Sequence, residues 1–171
     1  MAVTLIIEDG TGVANSNSYV TIDEYKTFAA NRGIQLPSGD DPIAIQLIKA
    51  VDAINMYSNL IAGSMVQPEQ SMIFPRSGVP VPGYPDYVYE DFTIPPALKE
   101  AQMQFAVAIN SGIDLFPTIS GKFIKRRKIG PIETEYSEAV QADGRVSVPG
   151  AYNSLSLLFA FRGFNLRTQR V

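Results

Sequence analysis

Apolar positions recur at helical spacing in three stretches of this chain. Tyr25, Phe28 and Ala29 share one face of residues 21–32. Ala44, Leu47, Ile48, Val51, Ile54 and Tyr57 do so between Asp41 and Ser58, and Leu98, Ala101, Phe105 and Ile109 between Pro95 and Ser111. Steps of three and four residues put such side chains on one stripe of an α-helix. Three stripes of this kind can close a single core. The punctuation agrees with the periodicity. Thr21-Ile22-Asp23-Glu24 is a capping box, in which the Thr hydroxyl takes an orphan backbone N–H and the Glu reaches back. Asp41-Pro42 offers a cap followed by a proline at the first helical position, and Pro95-Pro96 opens the third helix. Gly33 and Gly112 supply stops.

Elsewhere the period changes. Residues 3–7 are rich in β-branched side chains and predict a short strand, ended by the turn around Gly10 and Gly12. Phe123–Ile129 and Ile132–Tyr136 flank Gly130-Pro131, and Ile132, Thr134 and Tyr136 alternate with Glu133 and Glu135. That pattern predicts a β-hairpin whose basic strand, carrying Lys125, Arg126, Arg127 and Lys128, lies beside an acidic one. Residues 59–95 combine Pro68, Pro75, Pro80, Pro82 and Pro85 with Phe74, Tyr84, Tyr87, Tyr89 and Phe92. They read as a long ordered loop of functional or interfacial kind. The expected fold is mainly α. It is a small helical bundle of three main helices with an N-terminal short strand, a β-hairpin and an extended C-terminal arm. Residues 1–121 form the helical core with its Pro/Tyr-rich loop (59–95), 122–138 the hairpin, and 139–171 a linker and arm.

Composition narrows the chemistry. The chain has 171 residues, no Cys and no His. Transition-metal and haem sites nearly always use one of those side chains, and Ser or Cys nucleophiles usually need a His base. Carboxylates, Lys, Tyr and a hard cation are what remain, so neither an enzyme nor a cofactor is expected. Asp86, Glu90 and Asp91 fit no metal-loop spacing. No run of about 18 apolar residues is present, and no basic segment followed by an apolar stretch opens the chain, so neither a membrane span nor an export signal is expected.

Charge is segregated. Residues 1–121 carry five basic groups against thirteen acidic ones, net −8, and residues 122–171 nine against four, net +5. After Asp143 only Arg145, Arg162, Arg167 and Arg170 are charged. Such asymmetry suits contact between the acidic part of one subunit and the basic part of the next, or a basic arm aimed at an acidic partner.

Three segments carry candidate roles. The turn at 8–20 could cradle an anion, but it lacks a Gly-Lys-Ser/Thr ending, and Glu8 and Asp9 oppose phosphate. It reads as structural, with Asp9, Gly10, Gly12, Asn15 and Ser18 shaping it through local side-chain bonds. Lys125, Arg126, Arg127 and Lys128 read as subunit-contact and cross-strand partners of Glu133 and Glu135, with nucleic-acid contact as the alternative. The terminus, with Leu155, Leu158, Phe159, Phe161, Arg162, Phe164, Leu166, Arg167 and Arg170, reads as a docking arm. The competing reading packs it back on its own domain.

In order along the chain come Glu8-Asp9-Gly10-Thr11-Gly12, Asn15-Ser16-Asn17-Ser18-Tyr19-Val20, Ala50-Val51-Asp52, Gln70 with Phe74-Pro75-Arg76-Ser77-Gly78, Ile94 to Gln102, and Ile129 to Tyr136. This ordered set resembles a family of tailed-phage head–tail connector adaptors that is often labelled DnaT-like single-stranded-DNA-binding. The resemblance covers most of residues 3–136. It implies a non-enzymatic virion protein at the connector, made in the host cytoplasm, forming a ring of commonly twelve subunits below the portal. The implied partners are the chain itself, the portal protein, a tail or stopper protein, and DNA passing without sequence specificity. Residues 137–171 match no shared motif. Portal docking there rests on their Leu, Phe and Arg content. The family label carries the alternative function, a single-stranded-DNA-binding replication accessory.

Overall fold

The computed structural model describes residues 3–116, 126–129, 132–135 and 146–160. Four helices make its core: α1 (Ile22–Ala30), α2 (Asp40–Asn55), α3 (Pro96–Asn110) and α4 (Pro149–Ser156). α3 is central, packing against α1, α2 and α4. The predicted stripes are the buried ones: Tyr25, Phe28 and Ala29 of α1, Leu47, Val51 and Ile54 of α2, and Leu98, Ala101 and Phe105 of α3. Ile48 and Ile109 lie at the stripe edges and are half-buried.

The capping box of α1 is complete. Thr21 Oγ1 accepts the Glu24 N–H at 3.1 Å, and Glu24 Oε2 accepts the Thr21 N–H at 2.7 Å. Desolvation pushes the Glu24 carboxyl up, but the Thr21 N–H and the Lys99 ammonium together outweigh it and hold the group below its ordinary value of 4.5. A depressed carboxyl stabilises the fold above its unfolded pKa and loses that contribution as pH falls through the folded one. Thr21→Ala is expected to cost about 1 kcal/mol. Wild type should lose stability below about pH 4.5 more steeply than Glu24→Gln, which thermal melts across that range would reveal.

Three expectations need correction. The cap of α2 is Gly39, at φ +89°, two residues earlier than the predicted Asp41. Asp41 instead accepts the Val3 N–H at 3.2 Å, and Asp40 pairs with Lys26 at 2.7 Å. Residues 3–7 form no strand. They are held by their own turn: the Ile6 N–H goes to Asn17 Oδ1 at 2.8 Å, and only Ile7 forms a bridge, to Ser18.

The third correction concerns the C-terminal region. The predicted linker and arm include α4, with Pro149 in its first turn. Leu155 and Leu158 are fully buried in the common core and Phe159 is half-buried. The backbone of 158–160 pairs with 60–62, through Ala62 N–H to Leu158 O at 2.9 Å and Ala160 N–H to Leu60 O at 2.8 Å. Tyr57 stacks between Phe105 and Phe159, with centroids 6.2 Å away in each case. Leu155 and Leu158 of the apolar run are thus core, because α3 offers them an open face. Leu155→Ala or Leu158→Ala is expected to cost about 2–5 kcal/mol, and Leu157→Ala, at a half-exposed position, less than about 1 kcal/mol. Chemical denaturation of the three variants tests that order.

The loop at 59–95 carries two small antiparallel sheets. β1 (Ser64–Met65) pairs with β2 (Arg76–Ser77), and β3 (Pro80–Val81) with β4 (Tyr84–Val88). Arg76 fastens the first, donating from Nε to Ala62 O at 2.9 Å and from Nη2 to the carbonyls of Ile61 and Gly63. Gln70 Nε2 bonds Met72 O at 2.7 Å and Pro75 O at 3.0 Å. The predicted hairpin is present as β5 (Arg126–Ile129) and β6 (Ile132–Glu135). Its register sets Arg126 opposite Glu135, Arg127 opposite Thr134 and Lys128 opposite Glu133.

Candidate functional site

The turn at 8–20 is filled by its own carboxylate. Glu8 is buried, and its Oε1 accepts the Gly10 N–H at 3.0 Å and the Gly12 N–H at 2.8 Å. Oε2 accepts the Ser16 hydroxyl at 3.0 Å. Backbone donors that could cradle a phosphate are therefore committed to Glu8, and a second anion would meet its charge. Asp9 closes a smaller loop by accepting both the Thr11 hydroxyl, at 2.7 Å, and the Thr11 N–H, at 3.0 Å. Those two bonds, the hydroxyl first, hold its carboxyl below the usual value. Asn15 takes φ +57°, and its N–H donates to Ser71 Oγ at 2.8 Å.

The far end of the turn is pinned by Gln102 of α3. Its Oε1 accepts the Tyr19 N–H at 3.0 Å, and its Nε2 donates to Ser18 Oγ at 2.8 Å and Leu47 O at 3.1 Å. Ser18 Oγ in turn donates to Val20 O at 2.7 Å. Tyr19 is buried beside Phe74, its phenol oxygen accepts the Phe74 N–H at 3.2 Å, and burial pushes its pKa well up. Asp9, Gly10, Gly12, Asn15 and Ser18 thus have structural roles. Glu8, Asn17, Gln70, Arg76 and Gln102 do as much and were not singled out from sequence as site residues. The available signal was a polar residue on or beside an apolar stripe.

The exposed chemistry lies on the β3–β4 hairpin and the segment after it. Tyr84, Tyr87 and Phe92 are 62%, 66% and 57% exposed. The two tyrosine rings meet edge to face, 6.1 Å between centroids. Asp86, Glu90 and Asp91 lie in the same stretch of chain and are also exposed. Residues 77–98 contain no Lys or Arg. Exposed aromatics grouped in one stretch of chain mark an interaction surface, and the charged residues of this stretch are all acidic.

Cations with described side chains are mostly committed. Lys26 pairs with Asp40 at 2.7 Å and Lys99 with Glu24 at 2.9 Å. Arg32 lies 3.5 Å above the Phe28 ring centroid and 4.0 Å from Glu100. Arg76 is enclosed by carbonyls, and burial lowers its pKa. Of these five cations, Lys49 has neither an ion pair nor a side-chain hydrogen bond among the described residues; it edges an open hollow of about 510 Å³ with Ile109, Ile113 and Phe116. Among the described residues no group of His, Cys, Asp or Glu could hold a metal ion, and no helix is long and apolar enough to cross a membrane.

The other predicted site residues divide as follows. Leu155, Leu158 and Phe159 belong to the core. Arg126, Arg127, Lys128, Glu133 and Glu135 are placed by the backbone register of β5 and β6. Lys125, Phe161, Arg162, Phe164, Leu166, Arg167 and Arg170 lie outside the described residues.

No curated protein and no solved structure matches the chain. A family model described as "Putative DnaT-like ssDNA binding protein" matches residues 3–171. The match spans nearly the whole chain, including the Glu8 turn, the Gln70–Arg76 clamp and Gln102, and the protein belongs to this DnaT-like family.

Proposed function

We propose that this chain is a non-enzymatic structural subunit, the adaptor of a phage head–tail connector. It forms a ring, twelve-fold by family resemblance, below the portal and extends the DNA channel toward a tail or stopper protein. The observation that carries this reading is the character of the exposed surface. Among the described side chains, exposed aromatics share the 84–92 segment with carboxylates and four of the five cations are tied to internal partners, which suits protein contact and a channel along which DNA slides. Gripping a phosphate backbone needs the opposite, a track of free cations with aromatics for stacking. In this reading the chain beyond Ala160, with Phe161, Arg162, Phe164, Leu166, Arg167 and Arg170, reaches the portal. Leu155, Leu158 and Phe159 serve the fold instead.

The second reading is single-stranded-DNA binding in replication. The family description and the run Lys125-Arg126-Arg127-Lys128 favour it. Fluorescence anisotropy with a labelled oligothymidine separates the two. The adaptor reading expects only weak, salt-sensitive binding, about 10 µM or weaker at physiological salt. Submicromolar binding lost on Arg126→Glu/Arg127→Glu would favour the replication reading.

A further inference from the structure

Two hairpins of opposite charge occur in this chain, and among the named elements each makes its contacts within its own strand pair. β3–β4 and its following segment display Tyr84, Tyr87 and Phe92 with Asp86, Glu90 and Asp91. The β5–β6 unit is introduced by Lys122 and Lys125 and continues through Arg126, Arg127 and Lys128. We infer that the β3–β4 hairpin of one copy receives the basic β5 strand of a second copy. This inference rests on the ring reading and names the contact that would build the ring.

Charge selects the occupant. The receiving surface has three carboxylates and no cation between residues 77 and 98, so an acidic or neutral partner gains nothing from it. Guanidinium and ammonium groups gain twice. They meet carboxylates, and they can lie on the negative faces of Tyr rings, an arrangement worth about 0.5–2 kcal/mol per contact. The edge-to-face Tyr84–Tyr87 pair already holds its rings in place, so little side-chain entropy is lost on docking. Backbone strand addition is disfavoured by Pro85 within β4, which lacks an N–H. Side chains therefore make the contact. The register of β5–β6 sets Arg126 and Lys128 opposite Glu135 and Glu133 but Arg127 opposite the neutral Thr134. The register thus leaves Arg127 with no acidic residue directly opposite it. A nucleic-acid strand stacking on the same tyrosines would have to bring phosphates up to Asp86, Glu90 and Asp91.

The test places a photoreactive benzophenone amino acid at position 87 of the full chain and irradiates an equal mixture of isotopically light and heavy protein. The expected product joins position 87 of one chain to residues 122–129 of the other, in mixed-isotope pairs. Its yield should fall at least about fivefold in 0.5 M salt. Glu90→Lys/Asp91→Lys in the receiving chain should lower it similarly, and pairing that chain with an Arg126→Glu/Arg127→Glu partner should restore it. All four positions are exposed or on the hairpin strand, and restoration by the swapped pair excludes misfolding as the cause of the loss. Products confined to one chain, products elsewhere in the sequence, no product, or displacement by oligothymidine would each overturn the contact. Counting the chain in virions is an independent readout. Absence there with the cross-link intact removes the connector reading and leaves the contact; presence there without the cross-link does the reverse.

Discussion

Gln102→Ala is expected to destabilise the fold by about 3–5 kcal/mol. The side chain is fully buried and joins three parts of the structure: α3, the end of the 8–20 turn, and the Leu47 carbonyl on α2. Its most consequential bond is to the Tyr19 N–H, which lies in the core beyond reach of solvent. A buried donor left without an acceptor costs about 1–3 kcal/mol, and the cavity left by the lost side chain adds the rest. Ser18 keeps its bond to Val20 O, so the loss there is partial. Gln102→Met separates the two contributions. It fills the space but leaves the Tyr19 N–H orphaned, and should cost about 2 kcal/mol. Urea titration of both variants measures the difference. Equal stability of wild type and Gln102→Ala would show that the turn is not fastened through α3.

Gly10→Ala should be nearly as damaging, at about 3 kcal/mol or more. Gly10 has φ +109°, outside the range that L side chains readily adopt, and an added Cβ would stand 1.9 Å from the Phe92 carbonyl oxygen. Backbone cannot swing aside as a side chain can. Either the turn or the 90–93 segment must move, and the turn holds the Gly10 N–H on Glu8. Gly12→Ala is the internal control. Its φ is +80°, but the Cβ would meet the far end of the flexible Gln67 side chain at 2.8 Å. Gly33→Ala meets nothing within 4 Å at φ +66°. Both controls should cost about 1 kcal/mol, the ordinary strain of an alanine with positive φ. A thermal melt of the three variants should rank Gly10→Ala far below the others.

The parts of the fold legible in the sequence are those with a local cause. α1, α2 and α3 follow from helical periodicity, and the α1 start follows from a capping box that needs only four residues. β5 and β6 follow from the Gly130-Pro131 break between two strand-like runs and from the alternation of the second run. The parts that were not legible depend on distant partners. Residues 3–7 look like a strand, yet Asn17 takes the backbone bonds that a neighbouring strand would. Residues 152–160 look like part of a free docking peptide, because nothing in their own pattern reveals that α3 leaves a face uncovered. Pro149 was a start signal for α4 that reads equally well as a linker residue.

The site shows the same division. Phe74 and Tyr84 are both aromatics in one proline-rich loop, but Phe74 is fully buried against Tyr19 and Tyr84 is largely exposed. Residue type cannot distinguish them; only the completed core does. Several residues behind the family resemblance have scaffold roles. Glu8, Asn17, Ser18, Gln70, Arg76 and Gln102 are a hydrogen-bonded frame, so they report the fold more directly than what the surface binds.

The central claim is that this chain works as a built-in part of a connector. Quantitative mass spectrometry of purified virions, with the portal protein as internal reference, tests it most directly. The account predicts this chain in the particle at close to the portal's copy number. Its absence from virions, together with its presence in infected-cell extracts, would contradict the account and leave single-stranded-DNA binding as the function to pursue.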